Sequence, residues 1–572
     1  MLPYISAPFE YVAGQMGAAP DDLKQVGTFL ISYPLAALLK RLPDTRPEYK
    51  NVFIISTSLF YLLGVFDLWD GLGTMALAAG TAYAIAKFLR PSPYMPWIAF
   101  TFLMGHLSFS HLGRLDNAGH VDITGVQMVM VMKLTAFCWN VADGTLPVDQ
   151  LSDFQKDRRL RELPSLLDYA GYVLFFPSLF AGPAFDFADY RRWLDCTMFD
   201  VPANLDAAKK PPTRKKRKIP RSGTPAMLKM SQGILYLSLY IYLMAYFDWP
   251  VLLSPAFLQY GFLQRVLTLY MVNVTARFKY YGSWSLTEGA CILAGLGYNG
   301  VDPVTGKVSW DRLQNINPLG IELAQNSRAY LENWNINTNK WLRYYVYLRV
   351  TPRGKKPGFR ASMATFTTSA FWHGFHPGYY MTFILASFIQ TSAKNIRRYV
   401  RPLFLDPKTQ APLPSKVYYD LASWLTTQLV FSFVTTPFLV LSFAGSFEAW
   451  RRVYFFAVVA TAVSFAFFAS PAKAHLRRTI EKRAAKAGVG ATKGSTKPRA
   501  GGVAAADNMP ILSRTTSPDS LSGRSPVLGV PQDMERDLDD AIEEIKSDMQ
   551  AARAEHAART ASLHAGRAKK VA

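Results

Sequence analysis

The sequence predicts an all-α protein that crosses a membrane many times. Three observations carry this reading. Half of the 572 residues are hydrophobic and 14 % are aromatic, more than an ordinary soluble domain uses. The charged residues gather in connecting stretches and towards the C-terminus, so long apolar runs are left nearly free of them. Those runs recur between residues 26 and 468, enough for roughly ten or eleven helical passes, re-entrant ones included. On this basis residues 1–470 form a membrane-embedded domain and residues 471–572 a cytosolic, largely disordered tail.

Met1–Asp22 holds acids and prolines rather than a basic-then-apolar leader, so no cleaved signal is expected. The first run, Val26–Leu39, closes on Lys40 and Arg41; Val52–Phe66 and Leu72–Phe88 follow. Tyr94–Leu112 carries His106 and His111, which at five residues apart do not share a helical face, so buried hydrogen bonding is expected of them rather than metal binding. Asp122 and Thr124 are placed to cap the run Val126–Val141. Beyond the hydrophilic loop Asp143–Arg161, the run Leu167–Phe180 ends at Gly182-Pro183, and Tyr190, Arg191, Arg192 and Trp193 read as an interface anchor.

The loop Lys209–Arg221 holds eight Lys/Arg, which in a soluble protein would read as a nuclear-localisation run; between spans it reads as a cytosolic loop beside anionic headgroups. The net charge of +22 is assigned to such surfaces and not to nucleic acid. Ile234–Trp249 and Leu252–Val274 lead into the block Arg277–Gly300, where Glu288 sits in an apolar run and needs a partner. Arg277, Lys279 or a water-lined cavity could supply it. Gly295, Gly297 and Gly300 lack the spacing of a phosphate loop. Phe366–Phe388 is broken at Pro377-Gly378, and Val417–Phe443 and Val453–Phe468 complete the set. In the tail, Asp533–Ala558 alternates charges at the spacing of a solvated helix, or of one formed on binding. Cys138, Cys196 and Cys291 have neither a pairing pattern nor zinc spacing and read as free thiols.

The chemistry concentrates between Glu332 and Tyr380. Asn333, Trp334, Asn335, Asn337, Asn339 and Trp341 form a knot too polar to face lipid, and His373 interrupts an apolar run between Trp372 and Gly374. Either feature could be packing alone, since buried histidines and amides commonly tie helices together. His373 and His376 make a poor metal site, with Pro377 adjacent and no carboxylate near, and no metal is expected. No G-x-S-x-G elbow, H-E-x-x-H or Walker A motif is present.

Together the W-N-x-x-T-N-x-W-L run, Arg343, Arg349, Trp372-His373-Gly374 and Pro377-Gly378-Tyr379 resemble the signature of the membrane-bound O-acyltransferases, in the fungal-type lysophospholipid acyltransferase branch. The block at Tyr280, Trp284 and Glu288 and the D-x-T-G-x-Q-M element from Asp122 to Met128 match as well. The resemblance implies a bundle around a buried polar chamber and transfer of a fatty acyl chain from acyl-CoA to the free glycerol hydroxyl of a lysophospholipid. It implies His373 and Asn335 as the catalytic pair. Trp334, Thr338, Trp341, Arg343, Arg349, Trp372, Tyr280, Trp284 and Glu288 line the substrates. Acyl-CoA enters as co-substrate and no cofactor is implied.

An imidazole, with an ordinary pKa of about 6.5, suits a base for a hydroxyl attacking a thioester, and a fixed amide can orient the base or steady an oxyanion. Seven Lys/Arg and no acid between Lys340 and Arg360 suit the phosphates of coenzyme A, or simply a solvated cytosolic loop. Relatives that acylate a sterol, a diacylglycerol or a protein remain the second enzymatic reading. A transporter fits the hydropathy, but no internal repeat supports it. Lys569 and Lys570, fourth and third from the end, resemble the dilysine signal read by endoplasmic reticulum retrieval machinery, which places the protein in that membrane with its tail in the cytosol. Cysteine labelling in sealed microsomes should therefore find Lys209–Arg221 and the tail from Lys473 cytosolic; a lumenal tail would contradict both topology and retrieval.

Overall fold

The computed structural model describes residues 3–16, 19–116, 123–201, 205–206, 209–214, 217–351 and 359–488. Among them secondary structure is helical apart from isolated bridges such as Thr213 with Pro220. The α-helices run α1 Pro3–Met16, α2 Pro20–Leu39, α3 Pro47–Leu59, α4 Trp69–Phe88, α5 Met95–Asp116, α6 Thr124–Asp143, α7 Asp153–Arg158, α8 Leu166–Val173, α9 Phe187–Leu194 and α10 Gly223–Met244. There follow α11 Phe262–Ala294, α12 Pro318–Glu322, α13 Ser327–Glu332, α14 Ile336–Leu342, α15 Phe359–His373, α16 Pro377–Tyr399, α17 Lys416–Val440, α18 Phe443–Arg452, α19 Phe456–Ala469 and α20 Pro471–Lys486. Pro20, Pro47, Pro377 and Pro471 each stand in the first turn of a helix, where the missing N–H costs no intrahelical bond. Two π-helical turns, Phe60–Val65 and Arg343–Tyr347, continue α3 and α14.

The layers follow from which helices are covered. Within its apolar window α6 is 83 % buried, so it lies inside the bundle, whereas the window that contains α10 is 0 % buried and forms the rim. α11 has 33 residues, about 50 Å at 1.5 Å per residue, and packs against α2, α10 and α17. Glycines set the α10–α11 crossing. A Cβ on Gly282 would lie 3.1 Å from the Gly233 carbonyl oxygen, and one on Gly233 would lie 3.1 Å from that of Gly282. Close backbone approach of this kind is a common way for helices to pack in lipid.

Several sequence expectations change here. Three stretches among the described residues are long and apolar enough to cross a membrane (α6, Gly223–Leu253 and α17), with a fourth if the pair α18 and α19, bent by 77°, counts as one. Five more helices, α2, α4, α5, α11 and α16, have 20 to 33 residues, but their polar and small residues dilute the apolar signal. Leu167–Phe180 is not a span: α8 has eight residues, about 12 Å, and a 3₁₀ turn follows at Phe176–Ser178. Tyr190 and Trp193 are no interface anchor. Both are fully buried, in an aromatic wedge with Phe137, Tyr172, Phe175, Phe185 and Phe187.

The break expected near residue 250 falls at two 3₁₀ turns, Trp249–Leu253 and Ala256–Gln259, so the block from Arg277 is the second half of one long helix. At the start of α6 the N-cap is Ile123 without a side-chain cap, Thr124 is the first helical residue, and Asp122 lies outside the described residues. The boundary at residue 470 is followed by an ordered helix: Arg483 of α20 donates to the carbonyls of Pro402, Leu403 and Leu405. The charged segment 533–558 and the terminal dilysine lie outside the described residues.

Gly282→Ile should lower the thermal midpoint of the purified protein by several degrees, because the Leu237 side chain and the Gly233 carbonyl stand where the new side chain would go. Gly80→Ala in α4, with open space around its Cα, should leave the midpoint unchanged or slightly raised.

Candidate functional site

The amide knot resolves into scaffold and site. Asn337 takes Asn315 Oδ1 on its backbone N–H at 3.2 Å, and its Nδ2 reaches the carbonyls of Leu313 and Gln314 at 3.3 and 3.2 Å. Asn339 Nδ2 donates to the carbonyls of Leu331 and Trp334, both at 2.7 Å. Asn333 accepts from Asn317 Nδ2 at 2.8 Å and donates to Ala329 O at 2.7 Å. Asn333 and Asn337 hold α13 and α14 to the loop 313–317, and Asn339 ties α14 to the end of α13.

Asn335 differs. It stands at the N-cap of α14 in the left-handed region (φ 44°, ψ 55°), which asparagine tolerates better than most residues. Its Oδ1 accepts the Thr338 hydroxyl at 2.8 Å. Its Nδ2 makes no hydrogen bond to a described residue, and the side chain is partly accessible.

Both motif blocks are pinned to α6. Thr338 Oγ1 lies 3.3 Å from Met132 Sδ, and Trp341 Nε1 donates to Thr135 Oγ1 at 2.9 Å. Further along, the Tyr345 hydroxyl meets Asn140 Oδ1 at 3.1 Å and Asp186 Oδ1 at 2.8 Å. Arg349 then closes a two-pronged pair with Asp143 at 2.7 and 2.5 Å, its guanidinium 4.4 Å from the Trp139 ring. From the other block, Trp372 Nε1 donates to Met128 O at 3.0 Å, and the Trp372 and Trp341 rings lie 6.0 Å apart. Positions 128, 132, 135, 139 and 143 advance by about one helical turn each, so they form a single stripe.

His373 ends α15. Gly374, at φ 114°, turns the chain, and Pro377 starts α16. Gly378 is needed at the next step, since a Cβ there would fall 2.0 Å from the Pro437 carbonyl oxygen of α17. The imidazole sits among the rings of Trp372, Phe438, Tyr379 and Phe383, with centroids at 4.7, 4.9, 5.5 and 5.5 Å. It makes no hydrogen bond to a described residue. It keeps some accessible surface.

Tyr280 and Trp284 of α11 pack on the first block. The Trp334 ring lies 5.5 Å from Tyr280 and 5.3 Å from Trp284. The structure thus links His373 through Trp372 to Trp341, sets Asn335 on Thr338 of the same short helix as Trp341, and packs Trp334 on Tyr280 and Trp284. It does not gather the others. Glu288 is paired with Lys229 of α10 at 2.9 Å, not with Arg277 or Lys279. Arg277 instead grips Glu322 at 2.9 and 2.8 Å. Arg349 is committed to Asp143, while Arg343 lies 5.1 Å from the Tyr344 ring with its Nε unpartnered.

Arg353, Lys355 and Lys356 of the basic edge lie outside the described residues. Among the described residues no cluster of three or more His, Cys, Asp or Glu could hold a metal ion. The sequence reading missed Thr135, Asn140 and Asp143, polar residues inside an apolar run; Thr135 and Asp143 fall on the stripe, and Asn140 lies off it.

Residues 114–436, more than half of the chain, match the membrane-bound O-acyltransferase family. A lysophospholipid acyltransferase of Schizosaccharomyces pombe is 44 % identical over 480 residues, covering 84 % of this chain and 92 % of the relative. A lysophospholipid acyltransferase of Saccharomyces cerevisiae is 41 % identical over 477 residues, 82 % of this chain and 77 % of the relative. Lysophospholipid acyltransferase 2 of Arabidopsis thaliana is 31 % identical over 452 residues, 78 % and 93 % respectively. With both motif blocks assembled on α6 inside the matched region, the chain belongs to the membrane-bound O-acyltransferase family.

Proposed function

We propose that this protein is an acyl-CoA-dependent lysophospholipid acyltransferase that transfers a fatty acyl chain to the free glycerol hydroxyl of lysophospholipids. The names of the relatives support the reaction class. One observation carries the mechanism. In a polar seam whose other amides are spent on the scaffold, Asn335 and His373 keep hydrogen-bonding capacity on accessible side chains.

His373 takes the proton of the lysolipid hydroxyl as that oxygen attacks the thioester carbon. The new C–O bond forms, the C–S bond breaks, and the proton passes to the departing thiolate of coenzyme A. Asn335, braced by Thr338, donates from Nδ2 to the oxygen that becomes anionic. Trp334, Trp341, Trp372, Tyr280 and Trp284 are walls. Both substrates are held together, since none of the buried cysteines lies in the site blocks. Location in the endoplasmic reticulum, with a cytosolic tail and retrieval through Lys569 and Lys570, belongs to the same proposal and rests on the terminal sequence.

The test is the release of coenzyme A by purified protein over a panel of lysolipids and acyl-CoAs. His373→Ala should lose about 10²–10⁴ in rate while remaining folded, Asn335→Ala should be comparably impaired, and His376→Ala should be mild. Near-normal turnover of folded His373→Ala would refute the base assignment.

The basic edge divides in two. Removing Arg349 strands the buried Asp143 carboxylate, so Arg349→Ala should cost roughly 3–5 kcal/mol of stability without a selective change in KM for acyl-CoA. Neutralising Arg353, Lys355 and Lys356 together should raise KM for acyl-CoA and leave that for lysolipid unchanged. The reverse pattern would show that this loop does not read coenzyme A.

A further inference from the structure

His111 belongs to neither motif block, yet it packs on the turn that carries His373. It lies in α5 and is 7 % exposed. Its Nε2 is 3.1 Å from the carbonyl oxygen of Trp372. A carbonyl only accepts, so Nε2 carries the proton in this contact. The same ring lies against Gly374, where a Cβ would come within 3.2 Å of both Cγ and Nδ1 of His111. The imidazole therefore touches the residues on both sides of His373. Gly374 also needs its φ of 114°, which glycine adopts without strain, so space and backbone both require glycine there.

Among the described residues, His373 itself has no hydrogen bond and no carboxylate orients it. Its direction is set by the four surrounding rings and by the backbone of 372–374. Trp372 is held from one side by its indole on Met128 O of α6, and from the other by its own carbonyl on His111 of α5. We infer that His111 is a positioning residue for the reaction, fixing the 372–374 turn so that the His373 imidazole faces the lipid hydroxyl. This rests on the reading of His373 as the base. A turn that is free to shift leaves the substrate sites intact and misaims the base, so the loss falls on kcat and not on KM.

The experiment measures kcat, KM for both substrates and thermal midpoint for purified His111→Phe, His111→Gln and His373→Ala. His111→Phe keeps a ring but no donor and should lose about 10- to 100-fold in kcat, with both KM values within about twofold and the midpoint little changed. His111→Gln, whose amide nitrogen can reach the Trp372 carbonyl, should recover most of that loss. Parental kcat in His111→Phe, equal losses in Phe and Gln variants, or a change confined to KM would overturn the inference. So would failure of both variants to yield folded protein, which would assign His111 to packing. If folded His373→Ala is inactive while His111→Phe is normal, the positioning role alone falls. If His373→Ala turns over, the base assignment falls first.

Discussion

The buried polar stripe of α6 is the constraint on which the rest of this structure depends. A helix that is 83 % covered cannot leave the Asp143 carboxylate unpartnered without a penalty of more than about 1–3 kcal/mol, and Arg349 and Gln155 both reach it. Partners arrive in order along its length, from Trp341, Tyr345 and Arg349, and the Met128 carbonyl takes the Trp372 indole. The two motif blocks lie about thirty residues apart in sequence and meet because both answer to this one helix. The opposite side of α6 is also fastened. Lys133 Nζ donates to the Tyr172 carbonyl at 2.5 Å, with the rings of Tyr172 and Phe185 at 4.5 and 4.4 Å, which ties α6 to the aromatic wedge of α8 and α9.

Rigidity around the seam gives its two unspent groups their meaning. Asn335 is held by its left-handed N-cap backbone and by Thr338, and His373 by aromatic faces in place of an orienting acid. Such a site fixes direction by packing, so its geometry is preorganised without consuming the nitrogen that must accept a proton. Glu288 and Lys229 serve the frame. Their pair joins α10 to α11 between one and two turns from the Gly233–Gly282 crossing, and α11 then presents Tyr280 and Trp284 to Trp334.

The motif residues were legible in the sequence because their chemistry is local: a histidine in an apolar run, and amides where lipid-facing residues are expected. Their division of labour was not. Asn333, Asn337 and Asn339 look equivalent to Asn335 until the carbonyls and amides of 313–317 and 329–334 are in place. The partner of Glu288 lies 59 positions earlier, on another helix, beyond any local pattern. Tyr190 and Trp193 have the composition of an interface anchor, and only tertiary packing puts them inside. The helical class survives these errors, since length and apolar content are additive along a chain. Burial and pairing are not.

The account's central claim is direct transfer at a site with a free base and no covalent intermediate. It is tested by mixing purified protein with radiolabelled acyl-CoA before any lysolipid is added. The account predicts no label on the protein and only background release of coenzyme A, followed, on adding lysolipid, by one coenzyme A released per acylated lipid with no initial burst. Stoichiometric label on the protein, with a matching burst of coenzyme A from acyl-CoA alone, would contradict it.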